Sequence, residues 1–318
     1  MDGKSNLRAA LSALTAFLIY STHDTVVKFL GGSYSPVQIV FFSVCFGMPL
    51  VTVMLMRDRT DGNLIPRHPW WSLIRTVAAV LSGVSAYYAF TVLPLAQTYA
   101  ILFATPLLIT LLAIPILGER VGLHRGGAII VGLIGVMIVI RPGAEPLTLG
   151  HAAALASAIC GSLAAIIVRK IGREERSVVL ILYPMMANFV AMAIALPFVY
   201  VPMPIAHIGL LGLMSALSFG AMLLTINAYR IGEAVLVAPM QYSQIIWAAL
   251  FGYMVFGEAV DRGTIIGASV IVASGLYIVL REDSGASAER PVTRSRWRPE
   301  TSMPRVGPMM RWQKQMKR

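Results

Sequence analysis

Apolar runs fill residues 7 to 281, broken only where Gly, Pro or charged residues cluster. Several runs hold no charge at all, as from Val77 to Leu117. About 20 mostly apolar residues cross roughly 30 Å of hydrocarbon. Inside a bilayer each backbone polar group must be satisfied within its own segment, so such runs must be helices. The pattern predicts ten spans, near 7–30, 36–56, 70–92, 95–117, 123–140, 149–169, 178–200, 207–230, 234–256 and 263–281. Gly31-Gly32, the Arg57–Pro69 loop, Pro94, Gly118-Glu119-Arg120, Arg141-Pro142-Gly143 and the Arg169–Arg176 loop separate them. The softest boundaries are Val201–Ile205 and Gly232-Glu233. No loop is long enough for a catalytic domain.

The second half of the pattern repeats the first. At an offset of 139, Gly118-Glu119 falls on Gly257-Glu258. At 140, Gly127-Ala128 falls on Gly267-Ala268, and Gly135, Ile138, Val139 and Arg141 fall on Gly275, Ile278, Val279 and Arg281. Five spans per half is an odd number, so the second half must sit upside down relative to the first. Inverted repeats suit alternating access, with a solute site near the midplane where the halves meet. The expected fold is an all-α integral membrane protein: ten transmembrane helices as two inverted five-helix repeats around a central cavity. Residues 1–142 form the first repeat, 143–281 the second and 282–318 a tail.

Composition agrees. Of 318 residues, 57% are hydrophobic and 13% charged, where soluble domains carry about 25% charged residues. Mean hydropathy is +0.73. The net charge of +11 invites a nucleic-acid partner, but its location argues against one. The tail holds nine Lys/Arg and four acids, +9 − 4 = +5. It is rich in Pro, Ser and Arg, a disordered composition. A basic segment after a last span favours anionic membrane lipid over nucleic acid. Lys4, Arg8, Arg57, Arg59, Arg67, Arg120, Arg125, Arg169, Lys170, Arg173, Arg176 and Arg230 fall on the side of the termini. Only Arg141 and Arg262, with Lys28 nearby, fall on the other. Positive charge stays inside, which predicts a bacterial-type inner membrane with both termini cytoplasmic. Cys45 and Cys160 sit in apolar runs and form no metal or disulfide framework.

Pro106 and Glu119, in a Pro-x(12)-Glu pattern, close span 4, and a second Gly-Glu closes span 9. Each is followed by a glycine-studded helix. Here the chain resembles the drug/metabolite transporter superfamily, specifically its ten-span EamA-type members, over about residues 7–281. The resemblance implies a basket of two inverted five-helix repeats and transport of small organic metabolites. Members carry amino acids, nucleotide-like metabolites, vitamins, metal-chelating metabolites and aromatic cations. Tyr20–Gly32 and Ala238–Tyr242 look most like members that handle zwitterionic metabolites, such as S-adenosylmethionine carriers and opine-metallophore exporters.

Ionisable groups inside a bilayer cost about 2.5–3.5 kcal/mol on insertion scales, so each needs a reason. Span 1 carries Tyr20, His23, Asp24 and Lys28. Tyr20, Asp24 and Lys28 recur at i, i+4, i+8 on one face, with His23 beside it. His23 and Lys28 would engage a carboxylate, and Asp24 an amine or proton. The alternative is an Asp24–Lys28 pair with Lys28 snorkelling to the interface. Span 9 carries Gln241, Tyr242, Gln244 and Trp247 after Pro239. The amides would bond a polar solute and the rings stack on a planar one; the alternative is glue between packed helices. Spans 3 and 4 add Ser85, Tyr88 and Tyr99, with Tyr87 and Tyr99 also fitting an interfacial belt. Asn188 and Asn227 read as structural amides, and Glu119 and Glu258 as matched caps. The expected cavity is lined by spans 1, 3, 4, 6, 8 and 9.

Walker, HExxH, CxxC and nucleophile-elbow sequences are absent, so neither direct ATP coupling nor an enzyme is expected. No cofactor is called for. The expected protein is a secondary transporter driven by an ion, proton or solute gradient. It favours export of an amino-acid-like or zwitterionic metabolite or opine-type metallophore, with uptake of S-adenosylmethionine or riboflavin as the alternative. An intramembrane lipid enzyme would have only His23-Asp24 to work with, and a scaffold would have no use for a polar stripe.

Overall fold

A computed structural model describes residues 3–56, 64–119, 121–143, 146–172, 174–232 and 234–288. Every regular element among them is a helix. Span 1 is α1 (Gly3–Gly31), span 2 α2 (Pro36–Met56) and span 3 α3 (Pro69–Val92). Span 4 is split into α4 (Leu95–Leu102) and α5 (Thr105–Leu117); span 5 is α6 (Leu123–Ile140). In the second half, span 6 is α7 (Leu149–Ile171), span 7 α8 (Ser177–Ala195) and span 8 α9 (Ile205–Ile231). Span 9 comprises α10 (Ala234–Val237), a 3₁₀ stretch (Ala238–Tyr242) and α11 (Ser243–Phe256). Span 10 is α12 (Arg262–Ala288).

Eight of the ten are long and apolar enough, by length and composition, to cross a bilayer. The other two are the chemically distinctive ones. Span 1 is diluted by Tyr20–Thr25, and span 9 is interrupted at Pro239. Outward faces are greasy: Ile130, Ile134 and Met137 of α6 recur at i, i+4, i+7 and are all more than half exposed, as a lipid-facing stripe must be. The expectation of disorder from 282 meets a helix that continues to Ala288; residues 289–318 lie outside the described residues, as do Arg57, Arg59, Arg120, Arg173 and Glu233.

Packing follows the repeat. Span 3 lies on span 6 and span 1 on span 8; span 4 meets span 6 and span 1 meets span 9; spans 2 and 8, and 7 and 3, also touch. Spans 4 and 9 meet each other, as do 2 and 7. Exchanging span n with span n+5 maps each of these contacts onto another of them or onto itself. The broken spans 4 and 9 cross at their interruptions, where Phe103 packs edge-on to Tyr242 with centroids 5.1 Å apart. Both end on a left-handed glycine, Gly118 (φ 72°) and Gly257 (φ 68°), a conformation that favours glycine. The next amides turn back, Glu119 N–H to the Ala113 carbonyl at 3.3 Å and Glu258 N–H to Gly252 at 3.0 Å.

Candidate functional site

The polar groups of span 1 do not act as one stripe. They divide between two places. Tyr20 and His23 border a cavity of about 300 Å³ near the middle of the bundle. Its walls come from spans 1, 2, 3, 7 and 8, including Ser43, Tyr87, Asn188, Ser215, Ser218 and Phe219. This corrects the expected lining: spans 2 and 7 take the places of 4, 6 and 9. Spans 4 and 9 fill the centre by crossing each other. Span 6 is sealed onto span 3, where Ser82 Oγ donates to the Ser157 carbonyl at 2.9 Å.

Behind the cavity wall lies a connected polar chain. His23 Nδ1 meets Asp24 Oδ1 at 2.7 Å. Tyr99 donates its hydroxyl to Asp24 Oδ2. Tyr87 Oη stands 3.3 Å from His23 Nε2, and Gln244 Nε2 donates to Tyr99 Oη at 3.3 Å. With Asp24 ionised, His23 Nδ1–H must be the donor, which leaves Nε2 to accept from Tyr87. The chain thus joins spans 1, 3, 4 and 9, and so both repeats. His23 is 7% exposed. Adjacent helix positions diverge by about 100°, yet the imidazole and carboxylate of His23 and Asp24 turn toward each other.

Lys28 goes elsewhere. Its Nζ lies 2.5 Å from Glu258 Oε1 and donates to the Leu93 carbonyl at 2.5 Å. Glu258 Oε2 also accepts the Leu95 N–H at 3.1 Å. Lys28 therefore neither pairs with Asp24 nor lines the cavity, and Glu258 binds a cation beyond closing its helix. Ser85 and Tyr88 stay away from the cavity; it is Tyr87, one position before Tyr88, that reaches His23. Tyr242 wedges between Phe103 and span 10, where a Cβ on Gly275 would come within 2.0 Å of its hydroxyl. It also borders a second, apolar groove of about 570 Å³ with Pro239, Met240 and Ser243. The buried indole nitrogen of Trp247 has no hydrogen-bond partner among the described residues, and Gln241 lines neither space.

Sequence reasoning missed Ser43, Ser215, Ser218 and Phe219, left Tyr87 between the site and an interfacial belt, and read Asn188 as structural. Asn188 lines the cavity with its Oδ1 unpartnered among the described residues. The available signal was an isolated amide or hydroxyl within an apolar run. At the loop edge, burial opposes ionisation of Asp261. Hydrogen bonds from Thr264 and the Arg141 guanidinium outweigh it and hold the carboxyl below its ordinary range. No cluster of three or more His, Cys, Asp or Glu is placed to hold a metal among the described residues, and Cys45 and Cys160 are free thiols.

The description "EamA-like transporter family" matches residues 7–141 and again 148–280. The chain belongs to the EamA-like transporter family. Its ten spans are the two-repeat architecture of that family, and it is a multi-pass membrane protein whose relatives are drug/metabolite-type carriers of small molecules. This EamA protein is 24% identical over 287 residues to an S-adenosylmethionine uptake transporter of Rickettsia prowazekii, covering 90% of this chain and 97% of the relative. It is 26% identical to a riboflavin transporter of Vibrio cholerae, covering 90% and 97%. It is 24% identical to a pseudopaline exporter of Pseudomonas aeruginosa, covering 83% and 93%.

Proposed function

We propose that this EamA protein carries a small zwitterionic or cationic metabolite across the bacterial inner membrane by alternating access, with both termini cytoplasmic. The observation that carries the reading is the anionic character of the site. Asp24 sits at the junction of four spans, one hydrogen bond behind the cavity wall at His23. No Lys or Arg lines the cavity among the described residues. With Lys28 committed to Glu258, no fixed cation among the described residues faces a bare carboxylate there. Tyr20, Tyr87 and Phe219 offer ring faces to an ammonium or sulfonium centre, and Ser43, Ser215, Ser218 and Asn188 offer hydrogen bonds to its polar remainder.

Uptake of S-adenosylmethionine, which joins a sulfonium to an amino-acid group, fits that chemistry best. Export of an opine-type metallophore is the second reading, supported by the similarity to the pseudopaline exporter; several carboxylates would then need donors from the serines and Asn188. His23 borders the cavity and bonds Asp24, so it stands where a proton would be relayed between the solute and Asp24, in keeping with coupling to a proton gradient. Asp24, Tyr99 and Gln244 act through this chain and Tyr20 at the cavity wall, while Gln241, Tyr242 and Trp247 serve the crossing of the broken spans. The test is uptake of radiolabelled S-adenosylmethionine by cells expressing the protein, alongside metabolite profiling of cells and medium. Accumulation that unlabelled S-adenosylmethionine abolishes supports uptake. A metabolite that instead leaves the cells on expression would replace that reading with export.

A further inference from the structure

Alternating access requires each face of the bundle to close in turn, and the contacts joining the two repeats come in matched sets. Sliding span 1 onto span 6 by 141 residues puts Ser21 on Ser162, Val27 on Val168, Lys28 on Arg169, Leu30 on Ile171 and Gly31 on Gly172. The glutamates after the left-handed glycines correspond at 139. The structure pairs these residues crosswise. Lys28 of the first repeat holds Glu258 of the second at 2.5 Å, and Arg169 of the second holds Glu119 of the first at 2.7 Å. A further set obeys the same offsets. Tyr34 Oη bonds His207 Nδ1 at 2.7 Å, and His68 N–H donates to Glu175 at 2.6 Å; Tyr34 corresponds to Glu175 and His68 to His207.

The number of crossings places the ion pairs. Lys28 and Glu258 follow one and nine spans; Glu119 and Arg169 follow four and six. One pair therefore stands at each membrane face. Their surroundings differ. The Lys28 and Glu258 side chains are 12% and 21% exposed, and Leu93 and Leu95 brace them from the first repeat. The Arg169 and Glu119 side chains are 56% and 37% exposed, and beside them Lys170 Nζ donates to the Ile116 carbonyl at 2.9 Å. The cavity lining runs from His23 and Tyr87 to Val51, near the end of span 2 on the Arg169 face. On the Lys28 face, the Gln38 side chain bridges both backbone groups of Val201, at 2.7 and 3.0 Å.

We propose that Lys28–Glu258 and Arg169–Glu119 are reciprocal latches that strengthen in alternation to shut the two faces of the bundle; both are paired here, the Lys28 latch shielded from water and the Arg169 latch wet. The proposal rests on the alternating-access reading and makes these four side chains positioning residues of the cycle. A buried pair that loses one partner leaves an uncompensated charge, so removing a latch favours the state in which its face is wet. An exposed pair is weak and gains strength only when its own face dries.

The test uses the full chain with Cys45 and Cys160 replaced by alanine and a single reporter, Ser218→Cys, in the cavity wall. A membrane-impermeant maleimide is applied to right-side-out and to inside-out vesicles. Glu258→Gln is expected to raise labelling from the Lys28 face by about fivefold or more, the lower end of typical coupling between sites. Glu119→Gln is expected to raise labelling from the Arg169 face instead, and the double reversal Lys28→Glu with Glu258→Lys to restore the original ratio. Opposite shifts support the latches, because loss of stability alone would move both variants the same way. Shifts in one direction, no shift in Glu119→Gln, or no recovery in the double reversal overturns the proposal. Flux assays on vesicles that hold the chain with its native Ser218 separate the two levels: solute flux there with failed latch behaviour in the reporter sinks only the latches, and absence of flux for every solute in the profile sinks the transport reading itself.

Discussion

Spans 1 and 6 hold equivalent places in the two repeats and end on matching cations, yet their middles differ completely. Where span 1 carries His23 and Asp24, span 6 carries Ala164 and Ala165. Span 1 feeds a polar chain that reaches Tyr87, Tyr99 and Gln244. Span 6 packs small residues against span 3 and sends Ser162 Oγ to the Thr105 carbonyl at 3.1 Å. Symmetry is kept in the ion pairs that join the halves and abandoned at the polar chain. In the proposed cycle the repeat builds the machine, and one copy of it supplies the chemistry.

Four substitutions break or sharpen that contrast. The largest expected effect is at Asp24. Asp24→Asn keeps the shape but removes the charge, and flux should fall about tenfold or more, the scale of one lost charge-assisted bond of about 1.5–3 kcal/mol. Membrane insertion, followed by the amount of protein extracted from the bilayer, should not change; wild-type flux would end the role given to Asp24. Next is Gly267→Val. A Cβ there would lie 2.6 Å from the Gly135 carbonyl and 2.5 Å from Val139. Forced overpacking costs about 1–3 kcal/mol, so the melting temperature in detergent should drop while the residual folded protein keeps its solute preference. Tyr99→Phe removes the donor to Asp24 and should lower flux about fivefold, as loss of about 1 kcal/mol predicts. Smallest is Ala165→Ser on the other side of the comparison. It sits on an exposed face of span 6, and substitutions away from special features stay within about 0.5 kcal/mol. Transport measured with this variant should remain within about twofold of the parent protein; a loss matching that of Asp24→Asn would restore symmetry of function.

The spans and the repeat were legible in the sequence because length, hydropathy and glycine spacing act locally, and a bilayer leaves few alternatives. The matched Gly118-Glu119 and Gly257-Glu258 ends were visible for the same reason: both needed a left-handed residue after a helix. The partner of Lys28 was not visible. Glu258 lies 230 residues away, and only the crossing of the repeats brings it within reach of span 1. The rotation of span 3 was equally hidden, since Tyr87 and Tyr88 differ by about 100° around the axis and only packing decides which points inward. Spans 2 and 7 entered the cavity through Ser43 and Asn188, single polar atoms in long apolar runs that periodicity cannot weigh. His23 and Asp24 were found because charge in hydrocarbon is costly; that they bond each other became clear only from their side-chain directions.

The crosswise pairing of Lys28 with Glu258 and Arg169 with Glu119 also bears on ancestry. A half-length chain of five spans could satisfy both contacts by meeting an inverted copy of itself, each copy lending its terminal cation to the other's glutamate. Such a dimer would carry every substitution twice, and an aspartate near the axis would face its own like charge. Joining the halves into one gene removes that constraint. It allows one acid in place of two, so that duplication and fusion become the step at which an even-handed pore acquires a preference for one kind of cargo.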